Sequence, residues 1–315
     1  MINWGVIGFG RMGKQYVDCL KIKSDLFKLS GVSSKTSSHL KEFNFYKTYE
    51  ELIKQKEIDA IYISTLNNTH KDLVILANTY NKKILCEKPL GMNLLEVKEL
   101  HSLLKNKKEN FLEAIAYRAH PITYAIFEIL KDREIGQVKK IESSFGFKIK
   151  KIKKDSRLFN KDVGGGAILD LGCYPISFFN LFDQENDTKI IKSNFELCKT
   201  DVDIDGDISL KINNEIEAIG KVSFKENLEN KCRVYCENAI ITVPSPWLPT
   251  NNTFIEIETK SRYFKKLLSS DKNVYQHLLE ASSIFFSKKG QKNDFLVGID
   301  ESLRIAKIID LWKKK

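Results

Sequence analysis

The sequence predicts two domains of different class: an α/β domain on a doubly wound parallel sheet, then an α+β domain on a large, mostly antiparallel open sheet. Short apolar runs alternate with helix-like segments over roughly the first 120 residues, and apolar residues then recur at every second position. A length of 315 residues is sufficient for two domains of ordinary size. We place the first domain at residues 1–118 and the second at 119–315.

The first domain is predicted to contain five strands separated by helical segments, an alternation that implies parallel crossovers. The predicted strands lie at residues 4–7, 29–33, 58–63, 84–86 and 111–115. Helical spacing of apolar residues follows at 14–20, 73–77 and 94–104.

The second domain begins with a predicted helix at residues 122–130 that ends before Gly136. Apolar residues between 138 and 149 then recur at largely alternating positions, as in a half-buried strand. The same strand pattern returns at 202–204, 208–212, 217–219 and 240–243, and residues 296–311 form an amphipathic helix. We therefore expect an antiparallel sheet packed by helices.

Composition indicates a globular protein, with 42% hydrophobic and 29% charged residues. The first residues run directly into a strand pattern, and no apolar segment approaches the roughly 18 residues of a membrane span. We expect no secretory signal, no membrane contact, a cytoplasmic location and reduced thiols at the six scattered cysteines. The net charge of +10 comes from lysines spread over the whole chain, so we expect no nucleic-acid partner.

A glycine-rich segment, Gly8-Phe9-Gly10-Arg11-Met12-Gly13, directly follows the first strand and opens the first helix. In that context, Gly-x-Gly-x-x-Gly indicates dinucleotide binding. The first glycine permits a tight turn, the second lets the backbone approach the pyrophosphate, and the third permits close helix–strand packing. Backbone N–H groups and the helix dipole would then hold the anion.

The end of the second strand bears on which nicotinamide cofactor binds. An acidic residue there binds the ribose hydroxyls, whereas a basic residue accommodates a 2′-phosphate. The strand ends in Ser33-Ser34-Lys35, without a carboxylate. We therefore predict NADP(H), with NAD(H) as the alternative; the other interpretation is that Lys35 is an ordinary surface lysine.

Two further segments indicate redox chemistry. Glu87-Lys88-Pro89 ends an apolar run, which places Lys88 at the carboxyl end of a strand. Tyr174 lies four residues after Asp170, so that the two share a helix face, and Gly164-Gly165-Gly166 precedes them. A phenol with a reference pKa of roughly 10 can exchange a proton with a substrate hydroxyl at neutral pH when a cation such as Lys88 favours the phenolate. The alternative is a core tyrosine with a satisfied hydroxyl.

The chain resembles the glucose–fructose oxidoreductase/inositol dehydrogenase/rhizopine catabolism family of two-domain sugar oxidoreductases over nearly its full length. The resemblance is carried by residues 8–13, 64–70, 86–90, 113–114, 117–118, 120–121, 164–167 and 170–175. It implies that Lys88 contacts substrate and nicotinamide, that Asp170 positions the sugar and that Tyr174 is the acid/base. Tyrosine at this position is typical of the branch with dimeric dihydrodiol dehydrogenase and certain xylose dehydrogenases, which commonly use NADP. Leu66 is a departure, because relatives usually have proline there.

These inferences define a candidate site and function. We expect the cofactor to contact Gly8, Phe9, Gly10, Arg11, Met12, Gly13, Ser33, Ser34, Lys35, Thr65, Leu66, Asn67, His70, Glu87 and Lys88. We expect the substrate to contact Lys88, Arg118, Arg157, Asp170 and Tyr174. The predicted function is NADP-dependent oxidoreduction of a sugar, sugar derivative or cyclic diol. The alternatives are a non-catalytic cofactor-sensing regulator and an NAD-dependent glycosidase of the same fold. The second-domain sheet is the expected surface for a homodimer or homotetramer.

Three other patterns have simpler explanations. The segment 201–206 resembles the start of a calcium loop, but its twelfth position is Ile212 instead of glutamate, so we interpret it as a strand with exposed carboxylates. Cys232 and Cys236 lack partners at zinc spacing, and we expect no metal. The lysines between 148 and 154 fit a solvated face; with Arg157 they would alternatively favour an acidic or phosphorylated sugar.

Overall fold

The chain folds into two compact units in the computed structural model, which describes residues 1–35, 44–183, 185–288 and 293–314. The first unit contains Met1–Ala116 and Tyr275–Leu303, and the second contains Tyr117–Val274 and Arg304–Lys315. The sequence placed everything after residue 118 in the second domain, whereas the structure returns a later segment to the first unit. No helix within the described ranges is long and apolar enough to cross a membrane.

The first unit has a six-stranded sheet in which all paired strands are parallel. Its strands are β1 (Ile2–Ile7), β2 (Phe27–Ser33), β3 (Phe45–Tyr46), β4 (Ala60–Ile63), β5 (Lys83–Glu87) and β6 (Phe111–Ala114). Its crossover helices are α1 (Arg11–Leu20), α2 (Tyr49–Ile53), α3 (His70–Thr79) and α4 (Leu94–Leu104). The strand order β3-β2-β1-β4-β5-β6 reverses between β1 and β4, and such sheets bind ligands at the carboxyl ends of the strands beside this reversal.

Parallel strands covered on both faces read as continuous apolar runs, which explains why the predicted strands of this sheet are confirmed. Every residue of β4 is buried, and so are Trp4, Val6 and Ile7 of β1. The short β3 and α2 were not predicted. The sequence did contain a signal for α2, because Thr48 and Glu51 form a capping box at its start.

The second unit has an eight-stranded sheet covered by helices on one face. Its helices include α5 (Pro121–Leu130), α6 (Ala167–Leu171) and α7 (Cys173–Asn180). Its strands are β7 (Val138–Gly146), β8 (Thr188–Leu197), β9 (Asp203–Ile212), β10 (Ile216–Ser223), β11 (Lys231–Cys236), β12 (Ala239–Pro244), β13 (Asn252–Thr259) and β14 (Tyr263–Ser269). The order is β14-β13-β12-β11-β7-β10-β9-β8, and the pair β7–β10 is parallel while the other pairs are antiparallel. The expected large, mostly antiparallel sheet is thus confirmed.

The predicted segment 208–212 and all but the first residue of the predicted segment 202–204 belong to the single long strand β9. Strand β13 was not predicted. The edge strands β8 and β14 were not predicted either. They retain highly exposed apolar side chains, such as Ile191 at 67% and Leu267 at 78%, so their sequences lack the usual alternation of polar and apolar positions.

The last two helices are α8 (Val274–Ser287) and α9 (Ile299–Trp312). Within the first unit, the Trp4 indole N–H donates to Ser283 Oγ at 3.1 Å, and the Trp4 ring lies 5.8 Å from that of Phe286. The Glu113 N–H donates to the Val297 carbonyl at 2.8 Å, which adds one further backbone pairing to the edge strand β6. These contacts explain why residues 275–303 belong to the first unit.

Glu113 is a carboxyl group almost completely buried in this unit, at 4% exposure. Burial is the main reason that its pKa is raised from 4.5 to about 7, and Glu301 and Glu87 raise it further. The Ser302 hydroxyl and the Leu90 N–H act in the opposite direction. Between pH 4.5 and about pH 7, this carboxyl group is therefore ionised in the unfolded chain but protonated in the folded protein. The stability that depends on this group is therefore full below pH 4.5 and is lost as the pH rises through 7.

We predict that Glu113→Gln removes this pH dependence, since glutamine cannot ionise but still accepts a hydrogen bond. The free energy of unfolding of the wild type, relative to the variant, should fall by about 3 kcal/mol between pH 4 and pH 8. Urea denaturation at both pH values measures the difference. Glu109→Gln, at an exposed position, is the control. If the free energies of unfolding of wild type and Glu113→Gln differ by the same amount at both pH values, the ionisation of Glu113 does not cause the pH dependence.

Candidate active site

The glycine-rich loop between β1 and α1 is closed by backbone contacts that only glycine allows. Gly8 has a φ of +89°, and a Cβ on Gly13 would lie 2.0 Å from the Gly8 carbonyl oxygen. The Ser64 hydroxyl donates to the carbonyls of Ile7 and Gly8, at 3.1 Å each. The loop is therefore fixed against the ends of its own strand and of β4.

Gly10 differs from the other two glycines because a Cβ built on it would meet nothing within 4 Å. Gly10 is the N-cap of α1 and is exposed, and no side chain caps this helix end. The first backbone N–H groups of α1 thus face open space, where an anion can approach them. Arg11 and Met12 begin the helix, and the Lys14 ammonium lies 5.7 Å from the ring of Phe9. The loop fits the pyrophosphate of a dinucleotide.

The three residues predicted to select the cofactor differ in exposure. The side chains of Ser33 and Ser34 are buried, whereas Lys35 is exposed. The Lys35 ammonium lies 5.6 Å from the centre of the Tyr49 ring, at the start of α2. Lys35 is thus the only one of these three residues with an exposed side chain, and that side chain is charged. The contact of Lys35 with Tyr49 was not recognised from the sequence.

The loop after β4 is tied to the loop after β5 by His70. This ring is fully buried, with Nδ1 2.9 Å from the Pro89 carbonyl and Nε2 3.3 Å from the Thr65 carbonyl. Burial is the main reason that the pKa of His70 is lowered, so the neutral ring is favoured. Of the other predicted contacts here, Asn67 is buried and Leu66 is exposed. His70 therefore supports the loop backbone from inside the unit.

Glu87-Lys88-Pro89 ends β5, and the side chains of Glu87 and Lys88 are half-exposed. The peptide between Lys88 and Pro89 is cis. The Tyr62 hydroxyl donates to Glu87 Oε1 at 2.5 Å, and the Leu90 N–H donates to Glu113 Oε1 at 3.1 Å. Buried groups thus hold the Glu87 side chain before Lys88 and, with the His70 contact, the backbone of Pro89 and Leu90 after it.

Tyr62 acts as a hydrogen-bond donor to Glu87 because its phenol stays protonated. Burial, followed by the charge of Glu87, raises its pKa well above the usual value. The Tyr62 ring is also stacked on that of Tyr16, with centroids 3.8 Å apart. Neither the hydrogen bond of Tyr62 nor the burial of the Glu113 carboxyl could be recognised from the sequence, because both residues lie in strands whose pattern indicates only core packing.

In the second unit, α6 and α7 carry Asp170 and Tyr174. Gly172, in right-handed helical conformation, separates the two helices. Pro175 lacks the N–H that would bond to Leu171, which accounts for the predicted interruption beside Tyr174. Because the backbone stays helical through Gly172, the side chains at 170 and 174 lie on a similar side of the helix.

Tyr174 is exceptional in its own segment. The structure describes every residue from Gly164 to Asn180. Tyr174 is half-exposed, and all the remaining residues of this stretch are buried. Its ring lies 5.1 Å from Phe145, and 6.2 Å from both Tyr117 and Trp247. Aromatic rings thus fix the phenol ring, while part of its surface reaches solvent.

The remaining predicted substrate residues have different positions. Arg157 is partly exposed, and its Nη1 lies 3.2 Å from Asp170 Oδ1, which is buried. Arg118 is buried at 1% exposure and donates from Nη1 to the Ser177 carbonyl in α7 at 2.7 Å. Arg157 therefore orients the Asp170 carboxylate, and Arg118 braces α7. The lysines between 148 and 154 are exposed.

Comparisons with known proteins agree with these features. A model of an oxidoreductase family with an NAD-binding Rossmann fold matches residues 2–114, and a GFO/IDH/MocA C-terminal domain model matches residues 124–242. A Xenopus tropicalis trans-1,2-dihydrobenzene-1,2-diol dehydrogenase is 30% identical over 272 residues, which cover 83% of this chain and 80% of that protein.

Solved structures show the same fold. KijD10, a 3-ketoreductase from Actinomadura kijaniata solved with NADP and TDP-benzene, matches with a TM-score of 0.86 at 20% identity over 98% of this chain and 96% of that one. An aldose-aldose oxidoreductase from Caulobacter crescentus matches with a TM-score of 0.84 at 15% identity over 99% and 96% of the two chains. The chain belongs to the Gfo/Idh/MocA family of NAD(P)-dependent oxidoreductases.

Proposed function

We propose that this protein is an NADP-dependent oxidoreductase that acts on a CH–OH group of a sugar, sugar derivative or cyclic diol, with Tyr174 as the acid/base. The observation that carries the proposal is the half-exposed Tyr174 in a helical segment that is otherwise buried. The nicotinamide, when bound, supplies the hydride acceptor or donor.

Each predicted catalytic side chain has a distinct task in this proposal. The Tyr174 phenolate takes the proton from the substrate hydroxyl during oxidation, and the phenol so formed returns it during reduction. The Lys88 ammonium favours the phenolate form of that tyrosine by its charge. Asp170, oriented by Arg157 at 3.2 Å, accepts a hydrogen bond from a neighbouring substrate hydroxyl.

The substrate class is supported by the aromatic surroundings of Tyr174 and by the relatives. The half-exposed ring of Tyr174, held by the buried rings of Phe145 and Trp247, offers an apolar surface of the kind that packs against the C–H groups of a carbohydrate or cyclic diol. A trans-dihydrodiol dehydrogenase and an aldose oxidoreductase are among the similar proteins. Both substrate types have adjacent hydroxyl groups on a compact carbon skeleton.

We predict that Tyr174→Phe lowers kcat by roughly 10²–10⁴-fold, because it removes the proton-transferring hydroxyl and keeps the ring packing. NADPH formation with D-xylose and with trans-1,2-dihydrobenzene-1,2-diol measures the rate, and a fluorescence titration should show an unchanged Kd for NADPH. Tyr263→Phe, in exposed β14, is the matched control. Near-wild-type turnover by Tyr174→Phe would refute the acid/base role.

The preference for NADP is assigned to Lys35. Its exposed ammonium is available to the 2′-phosphate of the adenosine ribose, while a carboxylate at this position would repel the phosphate and bind the free ribose hydroxyl. Ser33 and Ser34 supply the buried side chains at this end of β2, whereas Lys35 is exposed, so replacing Lys35 removes no buried side chain.

We expect Lys35→Asp to shift the ratio of NADP to NAD affinities toward NAD by roughly 10- to 100-fold. Calorimetric titration with each cofactor measures the two Kd values. Lys28→Asp, exposed on the same strand β2, controls for the overall change of charge. An unaltered ratio in Lys35→Asp, or an equal shift in the control, would show that Lys35 does not select the cofactor.

We further propose that the protein forms a homodimer, or a homotetramer built from two such dimers, through the face of the second sheet that is turned away from α7. This face, here called the open face, contains a groove of about 660 Å³. Its lining residues are Glu229, Lys231, Arg233, Tyr235, Ile240, Thr242, Pro244, Glu256 and Glu258. Since both signs of charge are interspersed with apolar side chains, two copies related by a two-fold axis can pair opposite charges.

We predict that Ile240→Glu combined with Thr242→Glu, which adds two like charges to a groove that already contains Glu256 and Glu258, converts the assembly to a monomer of 36.3 kDa. The new charges would lie in the middle of the open face, where desolvating them is costly. Sedimentation velocity of wild type and variant measures the mass. Ile191→Glu, at an exposed position on β8, is the control. A monomeric wild type, or a variant with unchanged mass, would exclude this interface.

A further inference from the structure

Asp203, at the start of β9, is buried at 1% exposure. From the sequence it belonged to a run of aspartates interpreted as a strand with exposed carboxylates, and for Asp203 this interpretation is wrong. A buried carboxylate is stable only with hydrogen-bond donors or a cation beside it. The residues that supply them indicate what Asp203 does.

The first partner of Asp203 is the start of α6. The Ile168 N–H donates to Asp203 Oδ2 at 2.6 Å. The N-cap of α6, Gly166, has no side chain for this purpose, and a Cβ there would lie 2.6 Å from Asp203 Oδ1. Asp203 therefore caps α6 from a neighbouring strand, and the glycine makes room for it.

The second partner is the end of α9. Lys313 Nζ lies 3.6 Å from Asp203 Oδ1. The preceding residue, Trp312, is fully buried, and its indole N–H donates to the Asn194 carbonyl at 3.2 Å. The Trp312 ring lies against Gly172, where a Cβ would be 3.2 Å from it. The same helix end therefore contacts the break between α6 and α7 and, through Asp203, the start of α6.

We propose that Asp203, Trp312 and Lys313 are positioning residues that set the orientation of Asp170 and Tyr174, a role that rests on the proposed function of Tyr174. We call the three residues the α9 clamp. One contact fixes the first turn of α6, and the other fixes Gly172, midway between the two catalytic side chains. A helix held at both points cannot rotate about its axis or slide, so the clamp keeps the phenol in its half-exposed position.

The charge of Lys313 has a specific part in the clamp. Burial raises the pKa of Asp203, and Lys313 and the Ile168 N–H act against that increase. Without the ammonium, the buried carboxyl is more readily protonated, and its hydrogen bond to Ile168 loses the assistance of the charge. Arginine can replace the ammonium, whereas methionine preserves only the length of the side chain.

The test uses Lys313→Met in the full-length protein, because Lys313 is partly exposed and its replacement leaves the core intact. With D-xylose and trans-1,2-dihydrobenzene-1,2-diol as probes, kcat should fall about 10-fold while the Kd for NADPH stays unchanged. Hydrogen exchange of the amides from Ile168 to Tyr174 should become faster. Lys313→Arg should restore both properties to within about 2-fold.

The matched control is Lys314→Met, which removes a neighbouring lysine whose Nζ lies 3.0 Å from Asp310 at the surface. Equal kcat and equal amide exchange in Lys313→Met and Lys314→Met would overturn the proposal. In a Tyr174→Phe background, Lys313→Met should cause little additional loss, and a further 10-fold loss would show that the clamp does not act through Tyr174. The proposed function is tested separately by the single variant Tyr174→Phe. If that variant keeps full activity, the acid/base role of Tyr174 is wrong, whatever the Lys313 variants show.

Discussion

Polar groups buried beneath the carboxyl edge of the first sheet must be hydrogen-bonded, and this requirement fixes the backbone that carries Lys88. The Pro89 carbonyl pairs with His70, and the Leu90 N–H pairs with Glu113. A buried donor or acceptor left without a partner costs about 1–3 kcal/mol, so an arrangement that breaks either contact is disfavoured. The lysine itself is half-exposed, but the chain around it has little freedom.

In the second unit, buried charged side chains restrict the conformation of the helices that carry Asp170 and Tyr174. Arg118 braces α7 through the Ser177 carbonyl, and Asp203 holds the first turn of α6. Burying a charge is costly unless partners compensate for it, so each such group restricts the local structure to conformations that preserve its contacts. Tyr174 is half-exposed to solvent, and the rings of Tyr117, Phe145 and Trp247 pack against it on the protein side. In the proposed acid/base role, a phenol held in this way would need little reorganisation during the reaction.

Part of the candidate site was accessible to sequence reasoning because its constraints are local. A Cβ on Gly13 would strike the Gly8 carbonyl, and this steric conflict arises within a six-residue motif. Lys88 could be placed at a strand end because the apolar run of β5 stops at Cys86 and is followed by Glu87 and Lys88. Tyr62 could not be identified, since a tyrosine in a buried strand has the same sequence pattern whether or not its hydroxyl pairs with a carboxylate.

The sequence by itself determined the fold class, the glycine-rich loop between β1 and α1, and the placement of Lys88 after a strand and Tyr174 in a helix, because periodicity and glycine sterics act over a few residues. Only the tertiary structure decided that α8 packs with the first unit, that His70 and Arg118 support backbone from buried positions, and that Asp203 is not at the surface. The physical reason is that the sequence of a helix or strand shows which side chains must be buried or paired. Which residues they contact is decided by the packing of segments that are distant in the sequence. Asp203 meets Ile168 across 35 positions of sequence, and Trp4 meets Ser283 across 279.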